Sequence, residues 1–325
     1  MWCEMKCVND EIQVCVSADE VISSYEEIRK YVSTYKVIDT KYLYLHTKSA
    51  ESWIHREEMN KGIAGATIDS FKKLIDTTEF KNKIEDIQTI VDLGVGKGVK
   101  TKILIEKVLL LRQQNKHNKP INVVCFDFSL EMIKKSVKSL RENIKNGSVN
   151  FIGYKGDFLK LNETWFASKD REEIILFMLL GGTLGNVNEE DFLEKLSATM
   201  KENDMGILTF FNYDKKKVDK NSLEKEYEEL VYNVYGPTIS DLGYNLTDIN
   251  IFFEEIDKKF FNVIAKVGLE DLSTGKYIDD VEVLQSKRYN PNYIYDLMEK
   301  NKLEKISEKK DINGITTSVL FKKKE

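Results

Sequence analysis

The clearest periodicity lies in the middle of the chain. Short apolar runs at 87–93, 121–126, 149–154, 174–180 and 205–211 read as strands. The fourth is apolar throughout, as expected of a strand covered on both faces. Between these runs the spacing turns helical. It does so over 99–114, with Ile103, Leu104, Val108 and Leu111, and again over 129–144 and 189–200. Strands alternating with helices of this length predict parallel β-α-β units and a doubly wound α/β sheet.

The pattern changes on either side. The first eighty residues read as mostly helical: 17–35, opened by Ser17-Ala18-Asp19-Glu20 and carrying Val21, Ile22, Tyr25, Ile28 and Val32, then 57–75. An aromatic segment from Tyr42 to Trp53 between them has no assigned type. After Asn212, 223–232 reads as helix, and 260–269 and 277–284 as strands around a loop at Ser273-Thr274-Gly275. A helix over 293–301 and a strand over 315–321 return to the earlier idiom. The simplest parse is a sheet domain of 81–213 and 280–325, a helical substrate-side region of 1–80, and an inserted α+β substrate-binding lobe of 214–279.

Composition narrows the class. With 325 residues, 42% hydrophobic and 32% charged, the chain is an ordinary globular protein of about two domains, not a disordered, collagenous or disulfide-framework one. The longest apolar run, 174–184, is too short for a membrane span and is interrupted by Gly181-Gly182-Thr183. The opening Met1-Trp2-Cys3-Glu4-Met5-Lys6 lacks a signal-peptide layout, so a cytoplasmic location is expected. Forty-nine basic against 54 acidic side chains leave no basic excess for nucleic acid. Lys215-Lys216-Lys217 and Lys322-Lys323-Lys324 read as solvated surface. Cys3, Cys7 and Cys15 do not have the spacing of a zinc site, and Cys125 reads as a small core residue. His46, His55 and His117 match neither a metal motif nor a triad, so no metal is expected.

Candidate chemistry begins at Gly94-Val95-Gly96-Lys97-Gly98, set between a strand and a helix. Glycines there let backbone N–H groups approach an anionic group at a helix N-terminus. Asp127 ends the next strand, where an acid accepts hydrogen bonds from ribose hydroxyls and disfavours a 2′-phosphate. Asp157 follows the third strand, an acceptor for an adenine amino group with Phe158 beside it to pack on the ring; alone it reads first as a turn or helix cap, and Asp127 with the glycine loop tips it to the cofactor. A dinucleotide and S-adenosylmethionine (SAM) compete for this loop. The dinucleotide fingerprint wants glycine at Val99, whereas compressed Gly-x-Gly-x-Gly suits a ligand ending in an amino-acid carboxylate.

The segments Val91-Asp92-Leu93-Gly94-x-Gly96-x-Gly98-x-Lys100-Thr101, Asp127-Phe128-Ser129, Asp157-Phe158 and Leu180-Gly181-Gly182-Thr183-Leu184-Gly185-Asn186 resemble class I SAM-dependent methyltransferases, and within them the histidine-specific family. The resemblance implies a Rossmann-like, mostly parallel seven-stranded sheet and an amino-acid N-methyltransferase using SAM. It implies that Gly94, Gly96, Gly98 and Lys100 surround the methionine end, Lys100 meeting its carboxylate, with Asp127 on the ribose and Asp157 and Phe158 on the adenine. Gly181, which lines the cofactor site, and Asn186 would face the amino-acid substrate, Asn186 as a side-chain grip or, alternatively, as a helix N-cap. Tyr227 or Tyr232 would supply a further grip, or else pack. Near the C-terminus the family's Glu-x-Ser-x-Lys-Tyr segment, which helps recognise imidazole, becomes Leu284-x-Ser286-x-Arg288-Tyr289. Ser286 is kept, but the polar partner for an imidazole is lost. The expected partner is therefore a small amine or amino acid, with a histidine-like substrate open but not favoured, bound by a chain that can act as a monomer. Two alternatives use the same residues: a protein side chain or larger metabolite as acceptor, and a non-catalytic SAM-binding protein. The exit of the fourth strand lacks the Pro-Pro-aromatic and Pro-Cys motifs of nucleic-acid methyltransferases.

Overall fold

The computed structural model describes residues 5–9, 12–16, 25–58, 63–84, 86–116, 119–161, 173–214 and 219–324. The chain forms two compact units, one of Met1–Glu20, Asn60–Asn212 and Pro291–Glu325, the other of Val21–Met59 and Tyr213–Asn290.

The first unit is built on the apolar runs. In chain order its strands are β1 (Met5–Asn9), β2 (Ile12–Val16), β3 (Ile87–Leu93), β4 (Ile121–Asp127), β5 (Val149–Lys155), β6 (Ile174–Leu179), β7 (Met205–Phe211), and then β11 (Leu303–Lys310) and β12 (Thr316–Lys323) after the second unit's three strands. Among the described residues they form one nine-stranded sheet in the order β1-β2-β5-β4-β3-β6-β7-β12-β11. The seven-stranded sheet expected from the resemblance is its β5-to-β11 part, with the direction of winding reversing between β3 and β6. Strands β2 to β7 pair parallel, while β12 runs antiparallel to β7. Strands β3, β4, β6 and β7 are buried almost end to end, as helices on both faces require.

Helices α3 (Ile63–Ile75), α4 (Thr78–Ile84), α5 (Val99–Gln114), α6 (Leu130–Asn143), α7 (Glu189–Thr199) and α10 (Pro291–Lys300) belong to this unit. Their starts are chemically marked. Ser129 Oγ accepts the Met132 N–H at 3.4 Å to cap α6, and Asn188 Oδ1 accepts from Glu190 and Asp191 to cap α7, whose first turn holds three acids. One core cluster joins Phe71, Leu104, Ile133 and Leu140 from the helices to Ile90, Val123 and Met178 from the strands, all essentially fully buried. Burying each such side chain contributes about 1.5–3 kcal/mol.

The second unit holds α1 (Tyr25–Tyr35), α2 (Thr47–Glu58), α8 (Lys220–Leu230), a π-helical turn (Val231–Tyr235), α9 (Gly236–Asp241) and three strands, β8 (Tyr244–Ile256), β9 (Phe260–Asp271) and β10 (Tyr277–Tyr289). The strands form an antiparallel sheet in the order β10-β9-β8. Its core gathers Val32, Leu43, Tyr235, Tyr244, Val263 and Val281.

Several expectations are corrected. The chain start is not all helix: β1 and β2 extend the large sheet, β2 pairing parallel to β5. The aromatic segment is a 3-10 turn, Thr40–Tyr44, followed by α2. The span read as one helix at 57–75 is divided between α2 and α3, with 59–62 outside the described residues. Strands β8 and β11 were not expected. The boundaries move too: 60–80 go with the first unit, whereas 21–59 and 280–290 go with the second. Residues 17–24, with Val21 and Ile22, Cys3, His117 and the lysine run 215–217 lie outside the described residues.

Candidate active site

The carboxyl ends of β3, β4, β5 and β6 come together where the sheet reverses, the place at which open α/β sheets bind ligands. The turn from β3 into α5 is made by backbone that L side chains rarely adopt: Gly94, Gly96 and Gly98 have φ of 77°, 55° and 77°. At Gly98 a Cβ would also stand 3.1 Å from the side chain of Leu140, so a larger residue would push α6 away. The turn is tied across to β4, since the N–H groups of Gly94 and Val95 both donate to the Phe126 carbonyl, at 2.9 and 3.2 Å. Below it, buried Asp92 accepts a hydrogen bond from the Thr101 hydroxyl in the first turn of α5. Sequence reasoning gave Thr101 no role; the structure makes it the anchor between strand and helix. Lys100, beside it, is half-buried in the helix's first turn.

Asp127 closes β4. Its Oδ1 accepts the Ser129 N–H at 2.9 Å, and its carboxyl also accepts N–H groups of Phe128 and of Gly96 in the glycine turn. Burial pushes its pKa up to about 7, with nearby Asp92 adding to the rise, while the three N–H donors oppose it. The residue keeps some solvent access, which also works against the rise. The β5 end is tied to the same place: the Gly156 N–H donates to the Asp127 carbonyl at 3.0 Å. Asp157 then caps a 3-10 turn, Phe158–Lys160, by accepting the Leu159 N–H at 2.9 Å. The cap alternative thus describes its local geometry. Phe158 is half-buried and meets Phe192 edge-on, with centroids 5.9 Å apart.

On the other side of the reversal, Gly181 has φ of 88° and Gly182 leads into a 3-10 turn, Thr183–Asn186. A Cβ at 182 would come within 2.6 Å of the Phe211 ring, so this exit is packed too closely for any side chain there. Thr183 lies 3.7 Å from where a Gly94 Cβ would be, which brings the two exits face to face. Asn186 is half-buried, and its side chain makes no hydrogen bond among the described residues. It is not the helix cap; Asn188 is. Glu189 next to it is buried and accepts from the Tyr293 hydroxyl at 2.9 Å, which with burial drives the Tyr293 pKa upward.

The remaining site residues expected from the sequence lie in the second unit. Buried Tyr227 on α8 donates to Ser286 Oγ on β10 at 2.6 Å. Buried Arg288 donates to the Tyr227 hydroxyl at 3.4 Å and holds its guanidinium 5.7 Å from that ring's centre. Tyr232, by contrast, is 68% exposed on the π-helical turn, neither packed nor part of this cluster. Leu284 is buried in the unit's core, its backbone paired with Ala265. His46 Nε2 stands 3.1 Å from Asp241, and Cys125 is a buried thiol whose pKa burial pushes up. Among the described residues no three His, Cys, Asp or Glu side chains group as metal ligands, and no helix is long and apolar enough to cross a membrane.

The positive-φ glycine turn and the acid at the next strand end fit an adenosyl cofactor with an amino-acid tail. The family model of the SAM-dependent histidine-specific methyltransferases matches residues 73–230, which take in the glycine turn, both acids and the 181–186 exit. No curated protein matches the chain in sequence. Solved structures similar to it include a SAM-dependent methyltransferase from Clostridium acetobutylicum, 14% identical, with a TM-score of 0.42 over 82% of this chain and 94% of its own. CalS10, an amino pentose methyltransferase from Micromonospora echinaspora, is 9% identical, with a TM-score of 0.43 over 82% and 94%. The 1,6-didemethyltoxoflavin-N1-methyltransferase of Burkholderia thailandensis is 9% identical, with a TM-score of 0.46 over 99% and 100%. The family match coincides with the cradle just described and supports a class I SAM-dependent methyltransferase.

Proposed function

We propose that the enzyme methylates the amine of an amino acid or a related small molecule. The observation that carries this reading is Asn186: a half-buried amide at the sheet's reversal, relieved of capping by Asn188 and facing no protein partner among the described residues. Such a group holds a polar substrate at low cost in reorganisation. Bound SAM supplies a methyl group already activated on a sulfonium, so the protein's work is alignment and presentation of an unprotonated nitrogen. In this reading the glycine turn with Lys100 holds the amino-acid end of the cofactor, Asp127 its ribose, and Asp157 with Phe158 its adenine. Leu284 offers no hydrogen bond to an imidazole, and a buried polar group left unpaired costs about 1–3 kcal/mol. We therefore place other amino-acid-like amines ahead of histidine as the acceptor.

Transfer of labelled methyl to a panel of free amino acids and small amines tests this. At least one should be methylated in preference to histidine, and Asn186→Ala should lower turnover about tenfold or more with SAM affinity unchanged. A labelled protein band with an unlabelled small-molecule panel would overturn the assignment, as would equal loss of turnover and SAM affinity in the variant.

A further inference from the structure

The second unit has a groove that neither Tyr227 nor Ser286 lines, and it carries an inference beyond the proposed methyl transfer. The groove has a volume of about 460 Å³. One wall is the end of α8 and the π-helical turn, with Glu228, Glu229 and Tyr232; the other is residues 246–249 of β8. Four consecutive strand residues line it because β8 is the edge of its sheet and its pairing with β9 slips between Leu246 and Asp248. An edge strand presents main-chain N–H and C=O groups that a further strand can pair. The slip lays the Thr247 and Asp248 side chains together over Gly268, where no Cβ would fit. There the Asp248 carboxylate is fixed by the hydroxyls of Thr247 at 2.7 Å and Tyr277 at 2.8 Å and by the Asn250 amide at 3.1 Å, bonds that hold its pKa below the usual range. Tyr232 exposes its ring on the opposite wall, a surface for a cation. Among the described residues the lining has three carboxylates and no lysine or arginine.

We propose that this groove docks an extended peptide segment rich in lysine or arginine, which adds as a strand to β8 and places its cations against Glu228, Glu229 and Asp248. Strand addition supplies main-chain bonds, and flanking side chains supply selectivity. A second copy of this chain is the poorer occupant, since its β8 would bring Asp248, Glu254 and Glu255 to the same acidic groove.

A dye-labelled Lys-Val-Lys-Val-Lys-Val peptide, followed by anisotropy with the full-length protein, tests the proposal. It should bind where the Glu-Val counterpart does not, and amide hydrogen exchange should slow at 246–249 on binding. Glu228→Lys combined with Glu229→Lys should weaken binding by at least about tenfold while SAM affinity, which reports folding, stays the same. Absence of binding overturns the proposal, as does binding indifferent to the double variant. So does binding without protection of β8, full competition by tetramethylammonium alone, or a concentration-dependent dimer that protects β8 without peptide.

Discussion

The carboxyl edge of the large sheet and the polar cluster of the small one hold their polar groups in opposite ways. At the edge the machinery is largely main chain. Glycines bend the first turn, N–H groups anchor Asp127 and Asp157, and Asn186 is left without a protein partner among the described residues. In the second unit Tyr227, Ser286 and Arg288 are side chains that bond one another in a buried setting. A backbone cradle keeps hydrogen-bonding capacity in reserve for a ligand, whereas a self-satisfied cluster spends that capacity on the fold. Substitutions at the edge should therefore be read out in binding, and those in the cluster first in stability.

The largest effect that separates the two is expected at Asp127. Asp127→Ala should weaken SAM binding at least tenfold in calorimetry, because each hydrogen bond to a charged acceptor is worth about 1.5–3 kcal/mol. An unchanged dissociation constant would remove the ribose assignment and with it the functional half of the contrast.

A second effect follows from the same carboxyl. With a pKa near 7 it is mostly protonated at pH 6, and ribose hydroxyls donate best to the ionised form. SAM affinity should therefore rise with pH, by up to roughly tenfold between pH 6 and 8. Asp127→Asn should flatten that profile beyond what the ligand's own titration leaves. A profile identical in the two proteins would show that Asp127 does not titrate in the binding reaction.

The effect expected in the cluster is on stability and not on binding. Tyr227→Phe removes the donor to Ser286 and the acceptor for Arg288, and should cost about 1–3 kcal/mol of stability in denaturant unfolding with SAM affinity unchanged. Ser286→Ala should cost less, and the double variant less than the sum. Strict additivity would show that the two hydroxyls act independently.

The part of the fold readable in advance is the part with the strongest burial. Strand β3, helix α5 and strand β7 occupy the ranges expected of them because parallel strands between helices are apolar almost end to end. The missed strands lack that signature. Among the eight residues of β11, Glu304, Lys305, Glu308, Lys309 and Lys310 are charged, and it is a strand because β12 offers it a partner. β8 alternates, but the slip at Thr247 breaks its period, and β1 and β2 are five residues each. At the site the same division holds. The glycines and Asp127 could be placed from their positions after strands, while Thr101 as the Asp92 anchor, and Asn188 rather than Asn186 as the helix cap, could not.

By itself the sequence determined the parallel sheet, its glycine turn and the acids that follow successive strands, since each depends on a local period or a single backbone requirement. Only the tertiary structure decided which polar side chains are consumed by one another and which stay available. Hydrogen bonds such as Tyr227 to Ser286 and Tyr293 to Glu189 join residues 59 and 104 positions apart, a distance over which no local pattern carries information.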